Sequence, residues 1–234
     1  MNSWYFILLF AAPMFGGLIA IAFRKQAELN YKLVLSFSGA FLFTIILVHL
    51  FPAVFSLLPN AGIYVLAGFF IQIILEQLTH GIEHGHFHGH HHSTGYITSL
   101  MIGLTLHSFL DGIPLSSAAM MQATNNTLLY GICIHKIPEG FALASLFLIS
   151  NYKNATAVIF LVLFSLAAPF SMLLGNYFQQ AQSPLLNILI AVALGSFLHV
   201  STTILFESES SAHKFNWKRI AAIALGGVLA LMFA

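Results

Sequence analysis

The sequence predicts an all-α membrane protein of eight transmembrane helices, and three observations carry that prediction. First, 59% of its 234 residues are hydrophobic and only 6% are charged. A soluble domain carries about 25% charged residues, and a soluble core of this size cannot hide so much apolar surface. Second, apolar runs of spanning length recur at about 4–23, 34–58, 61–80, 97–121, 127–150, 155–178, 185–206 and 218–234. Roughly 20 residues suffice to cross a bilayer as a helix, and the longer runs need tilt or a kink. Third, the cations outside the membrane are Arg24, Lys25, Lys32, Lys153, Lys214, Lys218 and Arg219, all in or at the edge of the loops after runs 1, 5 and 7. That bias places the odd-numbered loops in the cytoplasm and both termini outside.

The first run lacks a basic leader and a small-residue cleavage site, so it reads as a retained span. Trp4, Tyr5, Tyr31, Tyr64, Tyr96, Tyr130, Tyr152, Tyr177 and Trp217 fall near run ends, where aromatic rings anchor at the interface. The whole chain, 1–234, reads as one transmembrane domain. A net charge of +1 without a basic run gives no nucleic-acid partner. The lone Cys133 lies inside a run, so no intrachain disulfide forms.

Run 2 carries His49 followed by Pro52. Run 3 ends in Glu76, His80 and Glu83/His84 at helical spacing, which predicts a helix continuing past the membrane surface. The loop at about 80–95 then holds His80, His84, His86, His88, His90, His91 and His92. Interspersed glycines make it a labile, cytoplasmic collector of metal ions and not a fixed cage.

Runs 4 and 5 hold the densest chemistry. His107-Ser108-Phe109-Leu110-Asp111-Gly112-Ile113-Pro114 and His135-Lys136-Ile137-Pro138-Glu139-Gly140 each place a histidine four residues ahead of a carboxylate. On a helix those two side chains share one face, about 6 Å apart along the axis. Two such helices facing each other offer His107, Asp111, His135 and Glu139 to one point, a donor set suited to a divalent transition metal. A charge at the centre of a membrane helix costs at least ~2.5–3.5 kcal/mol, so ionisable groups there argue for function. Mutual pairing as helix glue would not require the repeated spacing. Pro114 and Pro138 are expected to interrupt both helices. Gly103 with Ala118, and Gly131 with Ala142, are expected to let the two backbones approach. Run 7 carries Gly195-Ser196-Phe197-Leu198-His199. His49, His199 and Glu76 are candidate pathway residues flanking the central site.

These motifs resemble the ZIP (Zrt/Irt-like) divalent metal transporter family, most specifically in His135-Lys-Ile-Pro-Glu-Gly140. His49-Leu-Phe-Pro52 and Gly195-Ser-Phe-Leu198 look like the family's signatures on spans 2 and 7. The resemblance implies a 3+2+3 bundle in which spans 1–3 and 6–8 are inverted repeats around spans 4 and 5. It also implies import of a divalent metal into the cytosol by an elevator-like movement, in a bacterial-type inner or plasma membrane. Zinc is the leading substrate; iron, manganese and cadmium suit the same donors. Some members hold two metals, using polar or acidic residues after each histidine and a Glu on span 6. Here those positions are Ser108 and Lys136, and Ala168-Pro169 stands where the Glu would align. The expectation is therefore a single intramembrane site, with the Lys136 ammonium in the second metal's place. The partners are metal ions and the lipid bilayer, and a homodimer is compatible with the sequence. The competing readings are an intramembrane metal-dependent hydrolase, for which few groups remain as a general base, and a metal sensor without flux.

Overall fold

The computed structural model describes residues 3–23, 28–81, 94–124, 126–207 and 216–233. Its elements are α1 (Trp4–Ala22), α2 (Glu28–Ile45), a π-helical turn (Ile46–Leu50), α3 (Phe51–Leu57), α4 (Ala61–Thr79) and α5 (Thr94–Gly112). There follow a 3₁₀ turn (Ile113–Ser116), α6 (Ala118–Ala123), α7 (Thr127–Ile149), α8 (Asn154–Gln180), α9 (Leu185–Glu207) and α10 (Trp217–Phe233). Among the described residues, seven helical stretches are long and apolar enough to cross a membrane. The final helix, α10, is not one of these seven; it coincides with the eighth apolar run and has 17 residues.

Prolines explain two of the irregularities. Pro52 cannot supply an N–H to the carbonyl of Val48, and the helix widens into the π-helical turn that carries His49. Pro114 opens the 3₁₀ turn after Gly112, so span 4 is broken as expected. Pro138 does not break its helix: α7 runs continuously from Thr127 to Ile149. The expected extension of span 3 also fails. His80 and Gly81 both take left-handed backbone conformations, with φ of 53° and 71°, and end α4 at Thr79. The exposed His80 ring then stacks on Tyr96 at 4.7 Å. Glu83, His84, His86, His88, His90, His91 and His92 lie outside the described residues.

By packing, the long helices form two groups. In one, α1 lies along α7 and α8, and α5 lies along α8; in the other, α4 lies along α9, α10 along α2, and α2 along α9; the groups meet where α2 also lies along α7 and α4 along α5. Glycines set the closeness inside each group. A Cβ on Gly140 would land on the Pro13 carbonyl, and one on Gly16 on the Ile137 carbonyl, so α1 and α7 touch backbone to backbone. Gly68 and Gly195 do the same between α4 and α9, against the Val192 and Val65 carbonyls. The expected close approach of α5 to α7 does not occur. Gly103 faces Thr79 and Leu78 of α4, Gly131 faces Ile45 and Phe41 of α2, and Ala118 is exposed on α6. A small residue admits whichever neighbour packs there, and spacing alone does not name it.

The apolar core falls into two clusters, one at each end of the bundle. One gathers Leu9, Leu50, Ile113, Leu129 and Leu194; the other gathers Ala20, Leu100, Phe147, Leu161 and Ile204. Along α5 the chain passes from Leu104 in one cluster to Ile113 in the other, with His107 and Asp111 between them. Along α7 it passes from Ile132 to Phe141, with His135, Lys136 and Glu139 between them. The ionisable side chains therefore occupy a polar layer at mid-depth.

Candidate metal centre

α5 and α7 bring three donors to one point. The Nε2 atom of His107 lies 2.9 Å from Glu139 Oε1, and Nε2 of His135 lies 3.0 Å from the same oxygen. The donor atoms of His107, His135 and Glu139 all lie within 4.8 Å of one another. The three residues are buried, and the two imidazoles stand perpendicular with ring centroids 6.2 Å apart. Tetrahedral zinc with bonds of about 2.0–2.1 Å would hold its ligand atoms about 3.3 Å apart. The two nitrogen-to-oxygen distances fall a few tenths of an ångström short of that spacing.

The fourth expected donor is turned to another partner. Asp111 Oδ2 lies 3.6 Å from His107 Nε2 and forms an ion pair with the Lys136 ammonium. Lys136 also donates to Glu139 Oε2 at 2.6 Å. This lysine is fully buried between the two carboxylates, and its ammonium sits 5.3 Å from the centre of the Phe164 ring on α8. Next to Phe164 on that helix, Ala168 presents its carbonyl to Gly112. The α8 wall of the site thus offers a ring and a backbone and no carboxylate. Ser108 is buried on α5 beside His107 in the chain.

Two partners of the cluster escaped the sequence reading. Gln72 on α4 is fully buried, and its Oε1 accepts hydrogen bonds from His107 Nδ1 at 3.1 Å and from Ser196 Oγ on α9 at 2.7 Å. With Nδ1 donating, His107 turns the Nε2 lone pair toward the point it shares with His135 and Glu139. The available signal was Gln72 itself, an amide set deep inside an apolar run and one turn before Glu76.

One turn further along the same two helices, His199 Nε2 pairs with Glu76 Oε2 at 2.6 Å, with both side chains partly exposed. The His199 ring meets Phe69 edge-on at 5.0 Å. Gln72–Ser196 and Glu76–His199 are therefore successive polar rungs between α4 and α9, rising from the cluster toward the end where α4 meets the histidine loop. His49 lies apart from this ladder. It lines a groove of about 440 Å³ with Pro52, Ser56, Ala119 and Met120, and its Nε2 is buried without a hydrogen-bond partner among the described residues.

A family model described as "ZIP Zinc transporter" matches residues 96–234, from the start of α5 through α10. No curated protein matches the chain.

Proposed function

This chain belongs to the ZIP zinc transporter family, whose members move divalent metals across membranes, and from that premise we propose single-ion import into the cytosol. The carrying observation is the buried convergence of His107, His135 and Glu139 on one point within a polar layer. Asp111 completes the ligand set when the ion displaces Lys136 from it. Two neutral imidazoles and two carboxylates favour zinc, with iron, manganese and cadmium as competitors.

The proposed architecture is the eight-span 3+2+3 bundle, forming one transmembrane domain with both termini outside. Its support is a matching of contacts. Exchanging α1, α2, α4 and α5 for α8, α9, α10 and α7 turns the α1–α7 pairing into α8–α5 and the α4–α9 pairing into α10–α2. Such an exchange is what inverted repeats produce. All the ligands lie in the group of α1, α5, α7 and α8, so that group is the moving part of an elevator-like cycle. The ion reaches the site past His49 and leaves past Glu76 and His199. The histidine loop, with His80 at its start, then captures it through many weak sites at high local density.

Lys136 acts as a built-in counter-charge. Asp111 and Glu139 alone would leave the empty site at −2; the ammonium makes it −1, and burial of uncompensated charge is costly. Lys136→Met is expected to bind zinc about tenfold tighter, since one unit of site charge shifts local energies by roughly 1–2 kcal/mol. It is also expected to turn over more slowly, because the empty carrier returns with a larger buried charge. Zinc titration of the purified protein and uptake into vesicles check both, and an unchanged affinity and rate would remove this role.

The proposal as a whole is tested by uptake into proteoliposomes across zinc, iron, manganese and cadmium, with and without a pH gradient. Accumulation of at least one of them is the expected result. Metal-dependent lipid turnover without accumulation would contradict it.

A further inference from the structure

The boundary between the two helix groups is crossed by a polar link at the metal centre. Inside each group, backbones touch at glycines: Gly16 and Gly140 between α1 and α7, Gly112 between α5 and α8, Gly68 and Gly195 between α4 and α9. Across the boundary the nearest contacts are with side chains. A Cβ on Gly103 would lie 2.8 Å from Thr79 Cγ2, with the nearest backbone atom, the Leu75 carbonyl, at 3.1 Å against about 2 Å for the in-group contacts, and one on Gly131 would lie 2.9 Å from Ile45 Cδ1. Side-chain contacts of that kind can slide and remake, whereas interlocked backbones hold together. The hydrogen bond from His107 Nδ1 to Gln72 Oε1 spans this boundary, from α5 in one group to α4 in the other. All three members of the chain His107–Gln72–Ser196 are buried. Ser196 holds the carboxamide oxygen from the α9 side, while Gln72 Nε2 has no hydrogen-bond partner among the described residues. A buried donor left unpaired is costly, so the orientation of this amide is governed by what the oxygen does.

We infer that Gln72 is a positioning residue. It holds His107 with the Nε2 lone pair on the metal point, and it latches the ligand-bearing helices to the α4–α9 pair in this position of the cycle. This rests on the reading that His107 is a ligand and that its helix group moves against the other. Partners behind a metal-bound histidine fix its ring and tautomer, and removing one typically costs about 10–100-fold in metal affinity. When the ligand group moves, the Gln72–His107 bond must break, so the same amide adds to the barrier for leaving this position.

Gln72→Leu removes the acceptor and keeps the bulk; Gln72→Met serves if the leucine variant does not fold. Zn²⁺ binding to the full-length protein in micelles is expected to weaken about 10–100-fold, and the visible spectrum of bound Co²⁺ should change as the imidazole reorients. Gln72→Glu keeps an acceptor facing Nδ1 and is expected to retain wild-type affinity. Ser196→Ala should weaken binding less than Gln72→Leu, because Gln72 keeps its bond to His107. In proteoliposomes, Gln72→Leu should raise the KM for zinc while its maximal rate stays at or above wild type. A brace with no positioning role predicts that Gln72→Leu and Ser196→Ala lower thermal stability alike and leave zinc affinity and the Co²⁺ spectrum unchanged; that result overturns the inference. His107→Ala separates the two levels. If it binds zinc as wild type does, the ligand assignment falls, and if it loses binding while Gln72→Leu keeps it, the ligand assignment stands and only the role given to Gln72 falls.

Discussion

Glu139→Ala is expected to abolish zinc uptake and to weaken zinc binding by more than the roughly 10–100-fold that loss of an outer partner costs. The reason is the position of its two oxygens. Oε1 is the atom that both imidazoles approach, at 2.9 and 3.0 Å, and Oε2 receives the Lys136 ammonium at 2.6 Å. Removing the carboxylate takes away the centre of the cluster and leaves Lys136 to Asp111 alone. The ammonium is then free to stay on Asp111 and repel an incoming dication. Glu139→Gln is the informative companion. Its amide oxygen can still accept from Lys136, so the fold should persist while the negative charge is gone. Zinc titration, vesicle uptake and a thermal melt of each variant separate loss of binding from loss of structure. Wild-type accumulation by either variant would show that the ion does not pass through this cluster.

The second large effect is structural and sits one residue away. Gly140→Ala should lower stability by about 3 kcal/mol, at or above the upper end of ordinary overpacking. The new methyl would meet the carbonyl of Pro13, with its carbon and Cα close behind. These are backbone atoms of α1, so no side-chain rotation makes room. Relief requires α1 and α7 to separate, and α7 carries His135, Lys136 and Glu139. Metal binding should therefore weaken together with stability. Gly62→Ala is the control, because its nearest new contacts are the Phe55 ring at 3.9 Å. It should be neutral or slightly stabilising through better helix propensity. Equal unfolding midpoints for Gly140→Ala and Gly62→Ala in micelles would refute the close α1–α7 contact.

Much of the fold was legible because lipid imposes a one-dimensional rule. A span must be long and apolar, so the runs at 127–150 and 185–206 reappear as α7 and α9 within a residue. Proline gave a less certain reading. Pro114 broke its span where Gly112 ends α5, yet Pro138 lies within an unbroken helix. The difference lies in what surrounds each proline, which a local rule does not see. The polar ridge of run 3 misled for a related reason. His80 keeps helical spacing with Glu76, but the left-handed turn at His80 and Gly81 ends the helix there.

By itself, the sequence determined that the chain is helical and membrane-embedded, and that His107, Asp111, His135 and Glu139 stand on two helix faces at mid-span. Those properties follow from hydropathy and from the 3.6-residue period, and both are written along a single strand of residues. Tertiary structure alone decided how the four divide: His107, His135 and Glu139 gather, while Asp111 turns to Lys136. It alone brought Gln72 and Ser196, 124 positions apart, onto one hydrogen bond behind His107. Which helices meet, and through which small residues, depends on packing between segments distant in the chain. No periodicity within either segment encodes that choice.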